Sequence, residues 1–149
     1  MKITEALLAE HQVFHSLFDH IESVAPRVKT LAEIKSLASL MRTMLDAHSH
    51  TEDELFIAPL EHCFEQLGHC ETFHQEHDEI EANLKLIESA RRLAAARRIL
   101  LATVLTSRKH FDKEERIVFP LAERVLKSKT LTALGQTWMD RRWAALRHR

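Results

Sequence analysis

Histidine is the residue type in this 149-residue chain that most clearly indicates chemistry. The sequence holds 11 His and 0 Tyr. Histidine is the commonest metal ligand and a usual acid–base side chain near neutral pH. Two pairs, His48 with Glu52 and His110 with Glu114, share a spacing of four residues, which places imidazole and carboxylate on one face of a helix. Mixed imidazole and carboxylate ligands suit Fe, Mn or Zn, so the two pairs predict a metal site.

The helical phase of the histidines separates inward from outward candidates. At about 100° per residue, one histidine of each long segment lies on or beside its apolar stripe, and Glu52 and Glu114 lie on the same sides. The inward histidines are His11, His48, His77 and His110. His50 and Glu54 are also four residues apart, but on the solvent-facing arc of their helix. His15 and His74 lie to the side of their stripes.

Long helices must position these residues. The chain contains only 2 Gly and 3 Pro, too few turn residues for a β-sandwich or a doubly wound sheet. The first apolar stripe ends at Pro26. A capping box from Thr30 to Glu33 opens the second helix, which Pro59 kinks or ends. Gly68 marks the next break.

Apolar residues at helical spacing predict four long helices, the last carrying Ile117 and Leu121 on its buried stripe. Short connections between such helices favour an all-α, up-down-up-down four-helix bundle. We expect this bundle to span residues 1–127, followed by a short C-terminal helical extension over residues 128–149.

The inward residues are predicted to meet at one level of the bundle. In an antiparallel hairpin, two residues at one level are roughly equidistant from the turn. The first two inward histidines have their midpoint near residue 29, between Pro26 and Thr30. The second and third helices have theirs between Pro59 and Gly68. The third midpoint places a turn in Ala94–Ala96, although no Gly or Pro lies nearby.

A metal would offset the cost of such a polar core. Buried unpaired carboxylates and stacked imidazoles cost several kcal/mol unless something satisfies them. Without inward thiolates, a structural zinc or iron–sulfur site is disfavoured. Six ligands are too many for one tetrahedral ion and suit two ions roughly 3.5–4 Å apart, bridged by Glu52 and Glu114.

Four sequence motifs resemble those of the hemerythrin-like HHE cation-binding family. They are EH at Glu10-His11, HSHTE from His48 to Glu52, EHDE from Glu76 to Glu79, and HFDKEERIVFP from His110 to Pro120. The resemblance covers roughly residues 4–127 and implies a four-helix bundle with a non-haem di-iron centre, in which Mn or Zn are candidate substitutes. The ligands it implies are His11, His48, Glu52, His77, His110 and Glu114.

Two departures from the family pattern leave alternatives open. Pro59 is seven residues after Glu52, whereas Pro120 is six after Glu114. The extra residue leaves room for a bulge that would turn His50 and Glu54 inward instead. Oxygen-carrying hemerythrins resemble the chain less closely, because they have HxxxH on the third helix and an Asp five residues after the last histidine.

A count of coordination positions bears on function. Two octahedral irons offer about twelve positions, and four His, two bridging Glu and one bridging oxygen fill about ten. Roughly two remain open unless His15, His74 or Glu22 fills one. We therefore expect a protein that binds or reacts with O2, peroxide or nitric oxide, in sensing, detoxification or carriage. The alternative is iron storage or iron donation without turnover.

The chain shows no separate nucleophile, phosphate loop or cofactor motif, so no catalytic residue is predicted. Enzyme activity, if present, would be that of a di-iron oxidoreductase acting on peroxide or nitric oxide. The lack of tyrosine excludes a tyrosyl radical.

Composition narrows partners and location. A formal net charge of -1 disfavours a generally basic nucleic-acid binder. No apolar run approaches the ~18 residues of a membrane span, and no secretory segment opens the chain. Two cysteines fit a reducing compartment, so we expect a cytoplasmic protein. The C-terminal helix, with Trp138 and Trp143, is predicted to pack on the bundle or on a second copy in a homodimer.

Overall fold

Helices account for the whole secondary structure of residues 1–67 and 70–147, the part of the chain that the computed structural model describes. In chain order the elements are α1 (Ile3–Val24), α2 (Leu31–Glu52), the π-helical turn π1 (Asp53–Ile57), α3 (Ala58–Leu67), α4 (Cys70–Ser89), α5 (Leu93–Lys113), the π-helical turn π2 (Glu114–Val118), α6 (Phe119–Val125) and α7 (Ser128–Arg147).

Four rods form the bundle. They are α1, then α2 continued by π1 and α3, then α4, then α5 continued by π2 and α6. Helix α4 packs on α2 and α5, and α1 packs on α2, α5 and α7. The predicted all-α bundle with an extra C-terminal helix is therefore confirmed. None of the described helices is long and apolar enough to span a membrane.

The first connection is as predicted. Helix α1 ends at Val24, just before Pro26. Thr30 caps α2, since its hydroxyl accepts from the Glu33 backbone N–H at 3.3 Å and the Glu33 carboxylate accepts from the Thr30 N–H at 3.1 Å. The predicted break at Gly68 lies outside the described residues.

The predicted turn at Ala94–Ala96 is wrong. The chain turns at residues 90–92, and Arg92 has an extended backbone, with φ -125° and ψ 128°. The three alanines belong to α5, because alanine is the best helix former and Ala96 is fully buried in the core. Arg97 then donates to the carbonyl of Ala25 at 2.8 Å, which ties α5 to the α1–α2 turn.

Both prolines of the long rods follow a π-helical turn. Pro59 and Pro120 are the second residues of α3 and α6, so each rod continues past its proline. A π turn holds one extra residue, which shifts the buried face downstream. Ile117, predicted on the buried stripe, is therefore 46% exposed, while Val118 is fully buried.

The apolar core is divided into two clusters. One lies where α1 meets α2 and α4 meets α5, and includes Phe18, Met41 and Leu100. The other lies at the opposite end and includes Leu7 and Phe56. Between the two clusters in sequence lie the predicted ligands His11, His48, Glu52 and Glu114, so the bundle has a polar layer between two apolar ones.

Helix α7 covers the second cluster. Leu131, Leu134 and Trp138 pack against it, while Trp143 is 59% exposed. The backbone of α7 approaches the start of α1 closely at Gly135, where a Cβ would overlap the Met1 carbonyl oxygen. The boundary at residue 127 and the homodimer stay predictions.

Candidate metal centre

The six predicted ligand residues converge at one level of the bundle. His11 comes from α1, His48 and Glu52 from α2, His77 from α4 and His110 from α5, and Glu114 opens π2. Five of the six side chains are at most 2% exposed, and His77 is 10% exposed. The fold therefore places four imidazoles and two carboxylates in its interior.

The donor atoms form two groups that share both glutamates. One group is His11, His48, Glu52 and Glu114, and the other is Glu52, His77, His110 and Glu114. Within each group the ligand atoms lie within 4.8 Å of one another. Such spacing would let one metal ion contact all four residues of either group.

Each glutamate faces two histidines, one from each donor group. Glu114 lies 3.3 Å from Nε2 of His11 and 2.7 Å from Nε2 of His110. Glu52 lies 3.7 Å from Nε2 of both His48 and His77. The four Nε2 nitrogens thus point inward, at the two carboxylates that the groups share.

The opposite ring nitrogen of each histidine meets a second carboxylate. Nδ1–H of His48 donates to Glu10 at 2.8 Å, and that of His110 donates to Glu76 at 2.7 Å. His11 donates to Glu115 at 2.9 Å. These bonds fix the ring orientation and leave the Nε2 lone pair for a metal, as is usual for metal-binding histidines. Nδ1 of His77 makes a longer contact, 3.3 Å, with Asp53.

These carboxylates link the rods in a closed cycle. Glu10 of α1 serves His48 of α2, and Asp53 of π1 serves His77 of α4. Glu76 of α4 serves His110 of α5, and Glu115 of π2 returns to His11 of α1. Each of the four is the sequence neighbour of a predicted ligand. One dipeptide per rod therefore faces the centre with one side chain and the next rod with the other.

Positive or imidazole groups lie behind these carboxylates. Arg142 of α7 binds Glu10, with Nε at 2.8 Å, and Lys113 binds Glu76. Nε2 of His15 lies 3.4 Å from Glu115. Nδ1 of His74 lies 3.7 Å from Asp53.

Several inward atoms are buried without a hydrogen-bond partner among the described groups. They include Nε2 of His11, Nε2 of His48 and both carboxylate oxygens of Glu52. Such atoms cost about 1–3 kcal/mol each when unsatisfied. A divalent cation would satisfy all of them, so the residues present fit a metal.

The protonation of the metal-free centre shows the same need for positive charge. Burial and the nearby Glu114 carboxylate raise the pKa of Glu52 well above its usual value. Burial would lower the pKa of His110, but Glu114 and Glu76 raise it to about 9. Glu114 has its pKa held well below the usual range by His110 and His11, despite burial. Protons on Glu52 and His110 thus supply charge that a metal would provide.

Aromatic rings exclude water from the His11 side of the centre. The ring of Phe111 stacks on His11, with centroids 3.9 Å apart and planes within 3°. Phe14 approaches His48 at 5.2 Å, and Phe119 approaches His11 at 5.3 Å. The side of the centre formed by His11 and His48 is therefore covered by apolar rings.

The alternative pair points outward. The side chains of His50 and Glu54 are 75% and 46% exposed, and Glu54 pairs with Arg141 at the surface. Of the extra candidates, His15 and His74 contact Glu115 and Asp53, and Glu22 binds Arg108. Neither the alternative pair nor any of these extra candidates belongs to the two donor groups found among the described residues.

The carboxylates behind the histidines were not predicted from the sequence. Each is the sequence neighbour of a predicted ligand, which is the signal available for Glu10, Asp53, Glu76 and Glu115. Glu10 and Glu76 also lie within the motifs EH and EHDE that carry the family resemblance. Neither feature states which histidine each carboxylate would meet on another helix.

The structure is therefore an all-α bundle with two groups of histidine and glutamate donors that could hold metal ions. The family model of the hemerythrin HHE cation binding domain matches residues 2–122. The chain belongs to this family. A search of curated proteins and a search of solved structures found no match.

Proposed function

We propose that this chain holds two iron ions and binds or reacts with O2, peroxide or nitric oxide there. The observation that carries the proposal is that two groups of donors share Glu52 and Glu114. Six residues serving two ions through two common carboxylates is the arrangement expected of a bridged pair. His11 and His48 would serve one ion, and His77 and His110 the other.

Open coordination positions support ligand binding. With six protein ligands and one bridging oxygen, roughly two of about twelve positions stay free. His15, His74 and Glu22 have other partners, and none of them belongs to a donor group. Iron in such a site would supply a redox-active centre with room for a diatomic molecule or peroxide.

The surroundings favour a small uncharged ligand. Phe14, Phe111 and Phe119 pack around His11 and His48, and each is at most 6% exposed. Apolar walls admit O2 or nitric oxide at little cost, whereas a large anion would lose its hydration. The rings also cover His11 and His48, which are at most 2% exposed, from bulk water.

The tethers on the histidines favour a resident cofactor over the alternative of stored or donated iron. Three of the four imidazoles are hydrogen-bonded through Nδ1 to a carboxylate of another rod. A store that releases iron readily needs ligands that can turn away. Ligands held in this way retain their geometry when the metal leaves, which favours tight rebinding.

Anaerobic purification with metal analysis, followed by spectra on adding O2, peroxide and nitric oxide, tests the proposal. We expect two irons per chain and a new absorption band with at least one ligand. A reversible oxygen band would indicate carriage, and rapid loss of peroxide or nitric oxide would indicate an oxidoreductase. Less than one metal per chain would contradict the proposal. Loosely held iron without any ligand band would favour storage.

A further inference from the structure

Helix α7 lies outside residues 2–122, which the family model matches, yet one of its side chains contacts a carboxylate that binds a predicted metal ligand. Arg142 contacts Oε1 of Glu10 with Nε at 2.8 Å and with Nη2 at 2.7 Å. The other oxygen of Glu10, Oε2, accepts from Nδ1 of His48 at 2.8 Å. A single carboxylate therefore joins α7 to a predicted metal ligand.

Arg142 is itself held on three sides. Its Nη1 donates to the Thr51 hydroxyl at 3.2 Å and to the Ala47 carbonyl at 3.3 Å, both on α2. Its guanidinium lies 5.5 Å from the ring of Trp138, which packs on the second apolar cluster. Ala47 and Thr51 flank His48 along the helix, so Arg142 is fixed relative to that histidine.

With both oxygens engaged, the Glu10 carboxylate is held in one orientation by its contacts with Arg142 and His48. A fixed carboxylate holds the proton of His48 on Nδ1 and turns the Nε2 lone pair inward. We propose that Arg142 is a positioning residue for His48, through which α7 tunes one of the two metal positions. This inference rests on the proposed metal binding and adds to it a part of the chain beyond the matched domain.

The other half of the centre contains an analogous arrangement. Lys113 binds Oε1 of Glu76, whose Oε2 accepts from Nδ1 of His110 at 2.7 Å. Lys113 belongs to α5, inside the matched domain. His48 and His110 belong to different donor groups. Removing the charge of Arg142 and removing that of Lys113 should therefore each weaken a different metal position.

Three variants test this: Arg142→Met, Lys113→Met and, as matched control, Arg141→Met. Arg141 precedes Arg142 on α7 and pairs with exposed Glu54. Stepwise binding of Co²⁺ to the full metal-free chain is followed by visible absorption and calorimetry. We expect Arg142→Met to weaken one binding step by about tenfold, the low end for groups behind a metal ligand. The other step should stay unchanged, as should both steps in Arg141→Met.

A double-mutant cycle separates positioning from a general loss of structure. Arg142→Met should add little to Glu10→Gln, because both break the same link, but should be additive with Lys113→Met. Equal weakening of both steps together with a lower unfolding temperature would overturn the proposal, as would wild-type binding in Arg142→Met. A wild-type chain that binds no Co²⁺ or iron would instead overturn the proposed function.

Discussion

Glu52 and Glu114 both lie where a π-helical turn begins, on two different rods. Glu52 is the last residue of α2, directly before π1, and Glu114 is the first residue of π2. Both are fully buried, and both belong to the two donor groups. A π-helical turn beside each one fits the frequent occurrence of such turns at functional sites.

Glu52→Gln should affect both metal positions, because Glu52 is shared. We expect metal content to fall from two ions per chain to fewer than one, while the metal-free protein becomes more stable by about 1 kcal/mol. The stabilisation follows because an amide can donate to Glu114, whereas the buried carboxylate must take up a proton to remain beside it. Metal analysis and urea unfolding of the metal-free chain measure the two effects.

Glu54→Gln provides the matched control, since Glu54 lies two residues further along the same rod and is half-exposed. It should retain both metals and wild-type stability within about 0.5 kcal/mol. If Glu52→Gln kept two metals per chain, the shared role of Glu52 would be wrong.

His48→Ala and His50→Ala form a second pair, which tests the alternative ligand set. His48 belongs to one donor group only, so its loss should leave the His77 and His110 position occupied, at about one metal per chain. His50→Ala should bind two, because its side chain is 75% exposed. Metal analysis under equal loading decides between them, and the reverse result would assign the centre to His50 and Glu54.

The sequence predicts the helical bundle and the level at which the inward residues meet. Helices have a fixed rise per residue, so distance from a turn sets level along an antiparallel pair. The capping box at Thr30 and the break at Pro26 place the first turn accurately. His11 and His48 are thereby brought to one layer, 5.1 Å apart between ring centroids.

The helical spacing of apolar residues could not predict two details, the turn before α5 and the orientation of Ile117. Ala94–Ala96 continue α5, since local propensity and the burial of Ala96 outweigh the estimated midpoint. Ile117 turns outward because π2 changes the hydrogen-bond register before Pro120. A uniform 100° wheel carries no information on where a rod takes up an extra residue.

The partners of the carboxylates behind the histidines could not be predicted from the sequence for a different reason. Neighbouring helical residues point about 100° apart, so the neighbour of an inward residue faces a flank of its helix. Which helix lies on that flank depends on tertiary packing. The pairing of Glu76 with His110 therefore follows only from the packing of α4 on α5.

Stability and metal affinity should change in opposite directions with pH. In the metal-free fold the pKa of His110 is raised from 6.5 to about 9, so the stabilisation it provides is present below 6.5 and is lost as the pH rises through 9. Burial and Glu114 also raise the pKa of Glu52, which acts in the same direction. A metal displaces both protons, so affinity should rise over the same window.

Thermal unfolding of the metal-free chain between pH 6.5 and 9, together with chelator competition for metal, measures the two slopes. His110→Gln should reduce the slope of stability with pH, because the group that titrates is removed. Metal-free stability that rises across this window would contradict the assignment of the proton to His110.

Gly135→Ala should destabilise the protein, although the same change stabilises most helices. At an exposed helical position alanine is about 1 kcal/mol better than glycine. Here the added Cβ would overlap the Met1 carbonyl oxygen and lie 2.9 Å from the Lys2 carbonyl carbon, and backbone atoms cannot turn aside as a side chain can. Separating α7 from α1 should therefore cost about 1–3 kcal/mol in urea unfolding. It should also weaken the metal step that depends on Arg142, because Arg142 moves with α7. Thr137→Ala is the control, because Thr137 lies on the exposed side of the same helix. It should change neither the free energy of unfolding nor that of the metal-binding step by more than about 0.5 kcal/mol. A stabilised Gly135→Ala protein would show that α7 does not pack closely on the start of α1.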